Sequence, residues 1–137
     1  MYHKIALPVD LRHTDKLDKA VATAADIARH YNASLTFVAV TAATPSEIAH
    51  NPSEFREKLK NYAAEQAVEY GVEISTKVAV CPDPAVELDE ALDSAFHETG
   101  VDLVIMASHV PGFREYIFSS NAGYLASHTD LSVMIVR

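Results

Sequence analysis

Apolar residues in this chain fall in short runs separated by longer stretches with one apolar face. Ile5-Ala6-Leu7-Pro8-Val9 is such a run, and it ends at Asp10. A run this short, bounded by polar residues, suits a strand buried on both faces. Pro8 has no N–H, so it belongs at the strand's end or at a position that makes no ladder bond. From Asp15 to Tyr31, Leu17, Val21, Ala24 and Ala28 recur at i, i+4, i+7 and i+11, one stripe of a helix. Thr14 or Asp15 is placed to cap that helix, and Asn32 to stop it. Leu35–Val40 reads as a second buried strand. Residues 41–51 are polar, contain Pro45 and read as a loop. Asn51-Pro52-Ser53-Glu54 starts the next helix, with Asn as cap, Pro at the first position and Glu three residues after the cap. Phe55, Leu59, Tyr62, Ala63 and Ala67 share one side of it, and Gly71 ends it after Tyr70.

Residues 72–80 hold alternating and β-branched positions and predict a third strand. In Cys81-Pro82-Asp83-Pro84, Asp83 caps and Pro84 opens a further helix, with Val86, Leu88, Leu92, Ala95 and Phe96 on its buried side and Thr99-Gly100 closing it. Leu103-Val104-Ile105-Met106 is the clearest strand of the chain. Residues 107–112 form a loop, a short helix runs from Ser119-Ser120-Asn121 to His128, and Val133–Val136 is the last strand. Strict alternation of strand and helix predicts an α/β fold, a parallel sheet with helices on both faces. With no linker, repeat or low-complexity stretch in 137 residues, residues 1–137 read as one domain.

In such sheets ligands bind beyond the carboxyl ends of the strands, where the strand order reverses. The first and fourth strands flank that point, which directs attention to Asp10 and to the loop Ala107-Ser108-His109-Val110-Pro111-Gly112. A carboxylate at Asp10 can accept hydrogen bonds from ribose hydroxyls, or it can cap the loop that follows. Ser119-Ser120-Asn121, opening a helix, can present N–H groups and hydroxyls to phosphate, or be an ordinary helix cap.

Charge narrows the partners. Nineteen acidic residues face eleven basic ones, a formal net charge of −8. No basic run offers a face to nucleic acid or to an anionic membrane surface. There is no apolar stretch of signal-peptide or membrane-spanning length, and the single cysteine, Cys81, excludes an internal disulfide. These features make the cytoplasm the default expectation. The seven histidines are scattered without metal-ligand spacing, so no metal site is expected from side chains, and Cys81 reads as a structural thiol. A Gly-x-x-x-x-Gly-Lys-Ser/Thr loop, a Gly-x-Gly-x-x-Gly turn and a Gly-x-Ser-x-Gly elbow are all missing. The single Asp10 after the first strand, and Cys81-Pro82 after the third, also argue against a phosphoryl-accepting receiver domain.

Five segments, in order, resemble the universal stress protein family. Ile5–Asp10 is similar to its opening ILVPVD strand, and Leu35–Val40 to its second strand. Val80–Pro84 is similar to its V-x-G-[DS]-P turn, and Asp102–His109 to DLIVMGSH. Ser119 through His128 to Arg137 is similar to GS-x-A…RHA-x-CPVLVVR. The resemblance implies a Rossmann-like fold of the adenine nucleotide alpha hydrolase type, a five-stranded parallel sheet in the order 3-2-1-4-5. It also implies a stress-response regulator that binds ATP or another adenine nucleotide, is at most a slow ATPase, and carries magnesium only through the phosphates. The family's ATP-binding members have Gly-x-x-Gly, a spacer and Gly-Ser/Thr after the fourth strand. Here Ala107 stands at the first glycine, Val110 or Gly112 serves for the second, and Ser119-Ser120 replaces Gly-Ser. Val110 is β-branched and resists the left-handed backbone that glycine accepts.

By resemblance, the nucleotide site draws on Pro8, Val9 and Asp10, with Asp10 on the ribose, and on the backbone of Val40 at adenine. Met106 and Ala107 lie at the sugar side, and Ser108, His109, Gly112, Arg114, Ser119, Ser120 and Asn121 surround the phosphates. The resemblance further implies a homodimer paired through Val133, Met134, Ile135 and Val136. The three glycine replacements keep a second reading open, a homodimeric signalling module that binds no nucleotide.

Overall fold

The computed structural model describes residues 1–108 and 125–137. Its strands are β1 (Lys4–Pro8), β2 (Ser34–Thr41), β3 (Ile74–Val80), β4 (Leu103–Ala107) and β5 (Ser132–Val136), and its helices are α1 (Asp18–Tyr31), α2 (Pro52–Tyr70) and α3 (Pro84–Thr99). All strand pairs are parallel, and the sheet order is β3-β2-β1-β4-β5. The order implied by the resemblance is the order observed.

Side-chain alternation along the strands sends residues to two core layers. Ile5, Leu7, Phe37 and Ile105 pack with Val21, Ala24, Ala28, Leu59 and Ala63 of α1 and α2. Ala6, Val38, Val104 and Met106 pack with Leu92, Ala95 and Phe96 of α3 and with Leu125. The small residues Ala20, Ala24, Ala25 and Ala28 of α1 are all buried, which lets that helix lie close to the sheet.

Local chemistry sets the helix ends. Asn51 accepts a hydrogen bond from the Glu54 N–H at 2.8 Å, and the Glu54 carboxylate accepts from the His50 N–H at 3.2 Å. This is a reciprocal capping pair that reaches back one residue beyond the cap. Gly71 (φ 66°) ends α2 and Asn32 (φ 52°) ends α1, each in the left-handed conformation. The Val72 N–H bonds the Ala67 carbonyl, so β3 starts two residues later than the expected 72.

Three expectations are corrected. Neither Thr14 nor Asp15 caps α1: Thr14–Lys16 is a 3-10 turn, and α1 starts after Leu17, which is drawn into the core. Val86 does not line the buried side of α3 but is 80% exposed. It stands two residues before Leu88, about 200° around the helix from it. Ala107 belongs to β4 rather than to the loop, because it pairs with Val136. Of the last predicted helix, residues 125–128 are described and are helical; Ser119, Ser120 and Asn121 lie outside the described residues.

The ends of the sheet are tied down. Asp102 accepts from the His3 N–H at 2.9 Å and the Lys4 N–H at 3.1 Å, fixing the amino end of β1. His97, late in α3, meets the Asp93 carbonyl at 2.8 Å and the Asp130 carboxylate at 2.9 Å, just before β5. Those two bonds hold its imidazole above the ordinary histidine range.

Tyr62 packs beside Phe37, ring centroids 5.6 Å apart, and its hydroxyl is buried without a hydrogen-bond partner among the described residues. Desolvation, and then the nearby Asp18 charge, push the phenol well above its usual range. An unsatisfied hydroxyl costs free energy that a phenyl ring does not. Tyr62→Phe is therefore expected to be neutral to stabilising, by up to about 1 kcal/mol, in urea denaturation. A clear loss of stability would mean that the hydroxyl has a partner.

Candidate functional site

The site begins with a break in the sheet. β1 pairs with β2 over five residues, and β4 with β5 over five, but β1 pairs with β4 only at Ile5↔Leu103 and Ala6↔Val104. Pro8 supplies the reason. The Val9 N–H bonds the Val38 carbonyl of β2 at 2.8 Å. Successive N–H groups on a strand point to opposite sides, so the Pro8 nitrogen faces β4, and it has no hydrogen to donate. The ladder lapses there, at the carboxyl ends of the two strands where strand order reverses, the place where such sheets bind ligands.

Asp10 follows directly. Continuing the Pro8↔Val38 register sets it level with Val40 at the end of β2. Its side chain is only 13% exposed, and Arg12 holds it. The Arg12 backbone N–H and Nε each donate to Oδ1 at 3.0 Å, and Nη2 donates to Oδ2 at 3.0 Å. The first of these bonds is an Asx turn. The His13 N–H then bonds the Asp10 carbonyl at 3.0 Å and closes the turn. Asp10 thus does cap its loop, and it is also one half of a planar, two-pronged ion pair.

The remaining sequence-derived positions divide into three groups. Pro8 and Val9 end β1, and Val9 is buried in the layer beneath α1 and α2. Val40 pairs with Ala79, while Met106 and Ala107 pair with Ile135 and Val136. The Met106 side chain lies in the layer under α3, so its backbone is what borders the break in the sheet. The Ser108 N–H bonds the Val136 carbonyl at 2.8 Å and extends the β4–β5 ladder by one step. His109, Val110, Gly112, Arg114, Ser119, Ser120 and Asn121 lie outside the described residues. Arg12 is the residue that sequence reasoning passed over. An aspartate followed two positions later by any residue with an N–H carries an Asx-turn signal, and here that residue has a guanidinium on a reach long enough to fold back.

The model of the universal stress protein family matches residues 1–137. No curated protein matches the chain. Among solved structures, a protein of that family from Burkholderia pseudomallei is 20% identical over 98% of this chain and 96% of its own (TM-score 0.68). A universal stress protein in complex with cAMP is 19% identical over 99% and 97% (TM-score 0.71). The universal stress protein from Archaeoglobus fulgidus in complex with dAMP is 19% identical over 99% and 98% (TM-score 0.67). These likenesses establish a shared Rossmann-like α/β fold.

Cys81 sits just past β3 and is half-buried, its N–H bonded to the Thr41 carbonyl at 3.0 Å. Desolvation and then the Glu87 carboxylate push its thiol up, away from the thiolate form that reacts. Cys81 is expected to react with iodoacetamide at neutral pH more slowly in the folded protein than in the urea-unfolded chain. An equal or faster folded-state rate would point to an activated thiol.

Proposed function

The chain belongs to the universal stress protein family, and we propose that it is a stress-response regulator that binds an adenine nucleotide across the carboxyl ends of β1 and β4, with little or slow hydrolysis. The observation that carries this reading is the early end of the β1–β4 ladder, with the Asp10 carboxylate just past the end of β1. A carboxylate there is suited to ribose hydroxyls, and the carboxyl ends of neighbouring strands at a reversal of strand order are where such sheets take ligands. Two structures of the same fold carry cAMP and dAMP, ligands of the same chemical class. In this reading Val40 offers backbone groups to adenine, Ala107 packs at the sugar, and Ser108 approaches the phosphates. Magnesium arrives on those phosphates rather than on protein ligands.

The protein is also proposed to act as a homodimer. β5 is a sheet edge, and Met134 and Ile135 are each 40% exposed on it. A run of Val, Met, Ile and Val without a charge, on an edge with unpaired backbone groups, favours pairing with a second copy of itself. The second functional reading, a dimeric signalling module without nucleotide, takes its support from Arg12, which already engages the carboxylate that a ribose would need.

Titration of the nucleotide-free protein with magnesium-ATP and with AMP separates the two. Saturable heat that is lost in Asp10→Ala, with a matching rise in thermal stability, is the expected result; ligand at 100 times its Kd stabilises by about 2.7 kcal/mol. No binding up to about 1 mM, an affinity near −4 kcal/mol, would leave the module reading. Independently, Met134→Lys is expected to convert the dimer to monomer in sedimentation velocity. A surviving dimer would move the interface elsewhere.

A further inference from the structure

Arg12 does more than neutralise Asp10: it uses up most of that carboxylate's capacity to accept hydrogen bonds. A carboxylate offers about four lone-pair sites, two on each oxygen. At Asp10, Oδ1 already takes two donors, the Arg12 backbone N–H and Nε–H, and Oδ2 takes Nη2–H. Among the described residues, one acceptor site remains, and it is on Oδ2. The clasp is local and planar. Both side-chain bonds are 3.0 Å long, and the Asx turn fixes the backbone of Arg12 two residues from its partner. A sugar hydroxyl that sought a second place on Asp10 would have to displace one prong of a charge-assisted pair, a stronger bond than the neutral one it offers.

A ribose carries two neighbouring hydroxyls. An unencumbered carboxylate can accept from both, one on each oxygen; the clasped carboxylate can accept from one. We propose that Arg12 sets the sugar specificity of this site by restricting Asp10 to a single hydroxyl. The protein then takes an adenine nucleotide that lacks the other hydroxyl about as readily as the ribonucleotide. This inference rests on the reading of Asp10 as the ribose-binding group, and it assigns to Arg12 a positioning role exerted through Asp10.

The test compares AMP, 2′-deoxy-AMP and 3′-deoxy-AMP by calorimetry on the full chain, on Arg12→Met and on Asp10→Asn. In the parent protein one deoxynucleotide should bind within about threefold of AMP and the other about tenfold more weakly, the loss expected for one hydrogen bond to a charged group. Arg12→Met keeps the backbone bond to Oδ1 and frees a site on each oxygen. Each deoxynucleotide should then bind about tenfold more weakly than AMP, and Asp10→Asn should flatten the differences. A purely structural role for Arg12 would shift all three affinities together and leave their ratios alone. Equal losses for both deoxynucleotides in the parent protein, or unchanged ratios in Arg12→Met, would overturn the role of Arg12 while the nucleotide reading stands. Absence of binding by any of the three to either chain would overturn both. The parent protein's own ratios need no variant, so the proposal stays falsifiable if Arg12→Met does not fold.

Discussion

The missing hydrogen on the Pro8 nitrogen is the constraint on which the arrangement turns. β1 is the central strand of the sheet, hydrogen-bonded on both sides, and proline in such a strand would ordinarily cost a ladder bond. Its position limits that cost. As the last residue of β1 it faces β4 after the two strands have already paired at Ile5 and Ala6, while the β2 side continues through Val9 to Val38. The sheet therefore parts on one side of β1 only. That is also the side on which the chain reverses its winding direction, so covalent structure and topology coincide at the same place.

The opposite end of β1 is closed. Asp102 binds the N–H groups of His3 and Lys4, and the Asp102 N–H returns a bond to the Lys4 carbonyl at 2.9 Å. β1 and β4 are thus clamped where they enter the sheet and released where they leave it. The two core layers fill the region between. Phe37, Leu59 and Val21 are buried on one face, Phe96 and Leu92 on the other, and none of them belongs to the carboxyl-end loops. Stability is concentrated in the body of the sheet, which leaves the loops beyond the strands free to vary in sequence without endangering the fold.

What was legible in the sequence was what depends on neighbours along the chain. Asn51, Pro52, Glu54 and Gly71 set both ends of α2 through bonds no more than five residues long, and the strands announced themselves as apolar runs between polar bounds. Errors arose where three-dimensional direction overruled composition. Val86 is apolar and lies in a helix, yet its angular position points it away from Leu88 and Leu92. Leu17 fits the α1 stripe, but its burial draws the preceding turn into a tighter helix and removes the caps that Thr14 and Asp15 offered. At the site, the sequence located Asp10 because a strand delivers it. Arg12 went unread because its importance comes from a side-chain rotamer, which residue spacing does not encode.

The clasp also bears on how an acidic protein would receive an anionic ligand. Screening at physiological salt limits charge effects to about 8 Å, so the net charge of −8 matters less than the groups at the carboxyl end of β1. A bare carboxylate there would repel a phosphate ester. Paired with Arg12 at 3.0 Å, Asp10 forms an ion pair with no net charge. The carboxyl end of β4 meets a different constraint. Ser108, just past β4, is bonded through its N–H to the carbonyl of Val136, the last residue of the edge strand. The Ser108 bond thus extends the β4–β5 ladder by one step and ties the edge strand to the carboxyl end of β4.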